Sequence, residues 1–362
     1  MTEIDALLIL NHLRVGPITS RKLMDAFGSA VSIFFASERQ IAAVSHLSSA
    51  NVEKIKQWEK YVKLDKVWSI IKEQNIKLVT YKDETYPPLL REIYDHPLLF
   101  YLRGELKPRD NLAVAFVGTR NATGYGRSIA RKWSYNLASR GFTIVSGLAR
   151  GIDTESHIGA IEANGRTIAV LGFGLGYVYP KENAALLDKI AEIGAVITEY
   201  PWKKYHGKAS FPLRNRLIAG LSRATLVVES RRRGGSLITA HFANEYNRTV
   251  FAVPGSINFS ASSGTNQLIR DGATLVTTPN EITEEFEFLF PMPGKKNNGI
   301  SVAIPNLEGN EKILYELITE PVSIDQLAEK SDVSIEKVTT ALLMLELKGL
   351  IRMLPGKIYD RR

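Results

Sequence analysis

The residues best suited to chemistry in this 362-residue chain are glycines and arginines that recur in short loops. "GTRNATGYGRS" (118–128) sets Gly118, Thr119 and Arg120 ahead of Tyr125 and Gly126. "SGLARGID" (146–153) repeats the theme with Ser146, Gly147 and Arg150, and "GFGLG" (172–176) is a third glycine turn. "ESRRRGGS" (229–236) ends in Gly234, Gly235 and Ser236. Glycine lets a backbone come close to a ligand. A helix starting after such a loop aims free N–H groups at an anion. A guanidinium adds a fixed, planar positive fork that matches phosphate. Any one of these loops alone reads more readily as a tight turn; four of them together with the arginines point to phosphate binding.

The charge distribution agrees. The chain carries a formal +8, and residues 201–250 hold ten Lys/Arg against two Asp/Glu, so this segment equals the whole excess. Within it, "FPLRNRLIAGLSRATLVVESRRRGGSLITA" (211–240) sets Arg214, Arg216, Arg223 and Arg231–Arg233 against the single acid Glu229. A basic run of this kind is either a solvated face or a polyanion site. Residues 301–362 carry eight Lys/Arg and ten Asp/Glu. Cysteine is absent, which excludes disulfides and thiolate metal sites. No apolar run approaches the ~20 residues of a membrane span. Glu3 and Asp5 stand where a signal peptide carries positive charge, so the chain reads as cytoplasmic.

These loops need strands to hold them. Six β-rich, continuously apolar runs stand at 112–118, 142–147, 167–172, 195–198, 225–230 and 249–255, as strands buried on both faces require. Helical segments between them predict right-handed crossovers and an α/β, Rossmann-like, doubly wound parallel sheet, whose ligands bind at the C-terminal strand ends. Residues 1–80 read as a small helical domain. Its Gly16-Pro17 turn, with Thr19 or Ser20 as a cap, fits either a helix–hairpin–helix or a plain packing module. The α/β domain is expected over 81–290, and a Pro/Gly/Asn/Lys-rich linker over 291–306. A winged-helix domain is expected over 307–362, with a Ser323-x-x-Gln326 capping box, Ser334 capping a second helix to about Lys348, and a two-stranded wing after Gly349.

Known phosphate motifs are missing. The first loop has the wrong spacing for a dinucleotide fingerprint, and the second strand ends in Ser146-Gly147, not in an acid that would hold a ribose. There is no G-x-x-x-x-G-K-[ST] loop and no G-x-S-x-G elbow. His157 and His241 fall inside predicted helices and read as structural or solvated.

The ordered blocks "GTRNATGYG", "SGLARGIDTESHIGAI", "YPKEN", "TEYP", "FPLRNRLIAGLS", "RGGSLITA", "VFAVPG" and "GTNQLIRDGA", preceded by "YPPLLREIYDHPLLFYLRG" (86–104), closely resemble the DNA-processing protein A (DprA/Smf) family. That resemblance implies an extended Rossmann domain that binds single-stranded DNA, cooperation with the RecA recombinase during natural transformation, and a homodimer formed through the Rossmann domain. With neither a P-loop nor a dinucleotide fingerprint, no cofactor is expected, and the chain reads as a binding protein and not an enzyme. Carried over residue by residue, the family's backbone-contacting motif falls on Gly118, Thr119 and Arg120, and its second loop on Ser146, Gly147 and Arg150. Its lysine and aromatic fall on Lys208 and Phe211, and its RNR motif on Arg214, Asn215 and Arg216. In the third loop Gly176 stands where the family usually has an aspartate, and the Arg231–Arg233 triple is more basic than the family pattern. The helix 212–222 is expected to bury Leu213, Leu217, Ile218 and Leu221, with Arg214 and Arg216 turned toward the strand ends or paired with Glu199 or Glu229.

Two other classes remain. Nucleotide phosphoribohydrolases use a PGGxGTxxE loop at a comparable strand end, but here the last position is His241, not the glutamate needed for acid–base work. An adaptor acting through the winged helix fits that unit's acidic balance, which disfavours strong phosphate binding.

Overall fold

The computed structural model describes residues 1–45, 47–204, 207, 209–286, 307, 309–318, 322–331, 333–348, 350–354 and 358–361. The chain separates into two compact units, 1–291 and 292–362. No helix among the described residues is long and apolar enough to cross a membrane.

The first unit is built on a nine-stranded sheet: β1 (Lys77–Thr80), β2 (Leu99–Gly104), β3 (Ala113–Gly118), β4 (Thr143–Ser146), β5 (Arg166–Val170), β6 (Ala195–Thr198), β7 (Ala224–Glu229), β8 (Thr249–Ala252) and β9 (Thr274–Leu275). Their order across the sheet is β1-β2-β6-β5-β4-β3-β7-β8-β9. The six predicted runs are β3 to β8, and they pair in parallel. Buried Val114, Phe116, Ile144, Ile168 and Leu226 explain why these strands read as unbroken apolar runs. β2 joins β6 antiparallel, and β1 joins β2 antiparallel. These two strands and the two-residue β9 extend the sheet beyond the predicted core.

From β3 the chain winds outward through β4, β5 and β6, then returns to place β7 on the other flank of β3. The crevice at the C-terminal ends of β3 and β7 is therefore the topological switch point, where open α/β sheets bind ligands.

The N-terminal helices pack on the β2 end of the sheet. Leu7, Leu8, Leu23 and Ile33 share one core with Leu99 and Tyr101 of β2, and with Leu175 and Trp202. The second helix, Pro17–Phe27, is capped by Gly16 with proline in its first turn, not by Thr19 or Ser20. Proline fits there because that N–H has no helical partner anyway.

The second unit has helices Asn310–Leu317, Ile324–Ser331 and Ile335–Leu347, and strands β10 (Val322–Ser323), β11 (Ile351–Leu354) and β12 (Ile358–Arg361) in the order β10-β12-β11. The Ser323/Gln326 capping box forms, with each side chain meeting the other residue's N–H. The helix after Ser334 and the β11–β12 wing form as predicted, and β10 adds a third strand. Gly349 and the linker 291–306 lie outside the described residues.

Candidate nucleic-acid interface

A cleft of about 800 Å³ opens at the switch point. Gly118, Thr119 and Arg120 after β3, Gly234, Gly235 and Ser236 after β7, and Phe211, Arg214 and Asn215 of the helix before β7 all line it. All nine were singled out in the sequence, Thr119, Phe211 and Asn215 through the family resemblance.

Arg120 is exposed, and its guanidinium carbon lies 5.1 Å from the centroid of the Phe211 ring. That is cation–π range. Tyr179 approaches Phe211 from another side, with ring centroids 6.0 Å apart. Arg231 and Arg233 also line the cleft, and Arg231, Arg232 and Arg233 are all exposed. Among the described residues, Arg120 and these three arginines form no ion pair within the chain. The mouth of the cleft is thus rimmed by uncompensated cations around an aromatic surface.

Arg214 is only 4% exposed. Its Nη1 donates to the carbonyl of Gly147 (2.8 Å), just past β4, and to that of Val170 at the end of β5. A Cβ on Gly147 would sit 2.6 Å from the Arg214 Cζ, so this glycine makes room for the guanidinium. Burial pulls the Arg214 pKa down to about 10, with the Asp153 carboxylate pulling the other way, so it stays cationic at neutral pH. Asp153 lines the cleft floor and accepts from the N–H of Gly147 (3.1 Å) and of Ala149 (3.4 Å). Burial pushes its pKa up to about 6, against Arg214 and those two N–H groups.

Other predicted residues stand elsewhere. Arg216 turns away from the strand ends. It is 7% exposed, its Nη2 bonds Glu199, and its Nη1 donates to the Asp95 carbonyl (2.8 Å). It is a buried structural ion pair, the alternative already open from the sequence, and removing one partner of such a pair costs ~3–5 kcal/mol. Ser146 is buried, and its hydroxyl donates to the Phe116 carbonyl (2.6 Å). Gly126 does not present its helix to a ligand. The Glu229 carboxylate already accepts there from the Thr123 N–H (2.9 Å) and hydroxyl (2.7 Å), and a Cβ on Gly126 would come within 2.9 Å of the Glu229 Cδ. The anion of that helix N-terminus is thus the protein's own. Arg150 is exposed and paired with Glu182, and the Tyr125 hydroxyl donates to the Pro254 carbonyl (3.1 Å). Lys208 lies outside the described residues. Leu213, expected inside, is 54% exposed, while Leu217, Ile218 and Leu221 are buried.

Sequence reasoning missed Asp153, Tyr177 and Tyr179, which all line the cleft. The tyrosines follow directly on the third glycine turn, as "GYVYP", and that adjacency was the available signal. His157 is buried with Nδ1 2.6 Å from the Thr167 hydroxyl, which itself donates to Ile144; it is structural, as expected. His241 is exposed and sits 3.2 Å from Glu245.

Gly147→Ala is expected to drive the Arg214 guanidinium off the strand ends. Stability should fall by ~1–3 kcal/mol in urea titration, the scale for buried carbonyls losing their donors, and Gly147→Ala paired with Arg214→Ala should be far from additive. An additive pair would show that the two residues do not share this contact.

Three comparisons bear on the family. The family model for DNA recombination-mediator protein A matches residues 77–287, and the DprA winged helix domain model matches residues 304–357. The chain is 34% identical over 381 residues to Protein Smf of Synechocystis, covering 96% of each. Its fold matches the crystal structure of DNA processing protein A from Streptococcus pneumoniae at 36% identity and a TM-score of 0.69, covering 80% of this chain and 99% of that one. It also matches a structure of DNA processing protein A from Helicobacter pylori, described for its single-stranded DNA binding mode, at 29% identity and a TM-score of 0.53, covering 59% of this chain and 97% of that one. A nine-stranded doubly wound sheet with its cleft at the switch point, followed by a winged helix, belongs here to a member of the DNA recombination-mediator protein A (DprA/Smf) family.

Proposed function

We propose that the cleft binds single-stranded DNA without reading its sequence. The observation that carries this is Arg120 lying over the Phe211 ring at the mouth of a cleft rimmed by unpaired arginines. Arginines supply phosphate contacts, and Phe211 and Tyr179 offer flat surfaces on which unpaired bases stack at ~1–3 kcal/mol each. Bases inside a duplex are already stacked and cannot use those surfaces. The Helicobacter pylori relative, described for the same ligand class, supports the reading.

The finer assignments rest on family membership. In them the chain protects incoming DNA and helps load the RecA recombinase during natural transformation, in the cytoplasm. It works as a homodimer through the α/β unit, whose short β9 edge leaves Leu275 exposed. We infer a binding protein and not an enzyme. Position 241 holds an exposed histidine where the phosphoribohydrolase loop has its glutamate, and Asp153 is occupied by two backbone N–H groups beside Arg214.

Titration with single-stranded and duplex oligonucleotides across a salt series tests the main reading. Single strands should bind more tightly, with affinity falling steeply as salt rises. Arg120→Ala should weaken binding by ~1–3 kcal/mol with an unchanged circular dichroism spectrum. Equal affinity for duplex, a flat salt response, or an unaffected Arg120→Ala variant overturns it. Purified protein should leave ATP and nucleotide monophosphates intact; turnover that disappears in a cleft variant would restore the enzyme reading. Removing residues from about 300 onward should change single-strand affinity by less than about ten-fold (~1.4 kcal/mol), because the removed segment carries more acids than bases. A larger loss would move the principal DNA contact to the winged helix.

A further inference from the structure

The third glycine turn, which runs into two cleft tyrosines, also carries a second group of cations that the sequence motifs did not flag. The turn at residues 201–204 lies directly on the third glycine turn. The Gly174 N–H donates to the Lys204 carbonyl (2.9 Å), and a Cβ on Gly176 would sit 2.6 Å from the Lys203 Cγ. That glycine turn runs straight into Tyr177 and Tyr179, which line the cleft and stay about half exposed.

On its other side, the 201–204 turn touches the N-terminal helices. Asn11 Nδ2 donates to the Glu199 carbonyl (2.9 Å), and Trp202 packs in one apolar cluster with Leu13 and Val15. Arg14 lies in the loop between the first two helices, flanked by the Leu13 and Val15 that pack against the same apolar cluster as Trp202. The imidazole of His12 is pushed down to about 4, by burial first and then by the charge of Lys204. Arg14 on one side, and Lys203 and Lys204 on the other, thus flank the residues of one shared apolar cluster.

All three are exposed, and among the described residues none forms an ion pair. The nearby acid Glu199 is already committed to Arg216. Arg14 and Lys203 also hold φ at +63° and +54°, a conformation that favours glycine. A run of unpaired cations reached from the cleft across two half-exposed tyrosines has the composition of a single-strand track, basic groups interleaved with aromatic faces.

We propose that Arg14, Lys203 and Lys204 form a second phosphate-binding step, on which a strand leaving the cleft over Tyr179 and Tyr177 continues onto the N-terminal helical layer. The proposal rests on the single-strand reading of the cleft. It assigns the N-terminal helices a direct DNA contact, made by side chains of the loop before the second helix and by the 201–204 turn.

The test uses the full-length chain and two oligothymidylates: one of about 4 nucleotides, the lower end of single-strand site sizes, and one of about 20. The triple variant Arg14→Gln, Lys203→Gln, Lys204→Gln keeps the side-chain stems and removes the charges. It should bind the short oligonucleotide like wild type and the long one about ten-fold more weakly. On the long one, its log–log salt slope should be shallower by ~0.7 for each phosphate no longer neutralised, ~2 for all three. The charge-keeping variant Arg14→Lys, Lys203→Arg, Lys204→Arg should retain wild-type binding at both lengths. Wild-type affinity of the triple Gln variant for the long oligonucleotide, or an equal loss at both lengths, overturns the proposal. Arg120→Ala separates the two levels of failure. If it weakens both lengths while the triple variant binds normally, only the second step is wrong. If it weakens neither, the cleft reading itself falls.

Discussion

The architecture of the cleft hangs on one buried guanidinium. Arg214 reaches from its helix, Ser210–Gly220, to the carbonyls of Gly147 and Val170, tying the ends of two neighbouring strands to a helix that arrives from elsewhere in the chain. Strand-end carbonyls have no ladder partner and, when buried, need one. Arg214 meets that need and in doing so fixes the height and rotation of its helix. Phe211, one helical turn earlier, and Asn215, the next residue, are thereby aimed at the cleft. Asp153, held under the guanidinium by two backbone N–H groups, keeps the buried charge from standing alone.

The same helix separates two kinds of arginine. Arg214 and Arg216 are two positions apart, so they point to nearly opposite sides of the helix. Arg214 meets the strand ends, and Arg216 meets Asp95 and Glu199. Both charges are absorbed within the fold and add little to the field outside it. The positive mouth is made instead by Arg120, Arg231 and Arg233, which sit on loops after β3 and β7 and form no ion pair among the described residues. Buried arginines build the cleft, and exposed arginines charge it.

The sequence made the parallel core legible because a strand buried on both faces leaves an unbroken apolar run, as in Val114–Val117 and Leu226–Val228. β1 and β9 were not legible, since four and two residues carry too little pattern. β2, within the stretch "LLFYLRG", was not read as a strand, and its antiparallel pairing with β6 depends on where the chain returns. In the site, residue type was more legible than residue environment. Arg216 and Arg120 look alike in sequence; what divides them is Asp95 and Glu199, more than a hundred residues and 17 residues away along the chain. Gly126 has the look of an anion-binding glycine in sequence, but Glu229, 103 residues downstream, fills its helix N-terminus.

That filled N-terminus also bears on how the site works. A free helix N-terminus at β3 would favour a single localised phosphate in one fixed pose. With Glu229 seated there through Thr123, the anion-attracting groups left at the switch point are exposed arginine side chains and the start of the helix after Gly235. Such side chains follow a charged backbone without demanding one geometry from it. Paired with the aromatic faces of Phe211 and Tyr179, which accept any base, they suit a polymer that must bind irrespective of sequence better than a mononucleotide that must be held for chemistry. The fold that elsewhere cradles a cofactor phosphate has its cradle closed by an internal carboxylate, and its binding shifted outward to the rim.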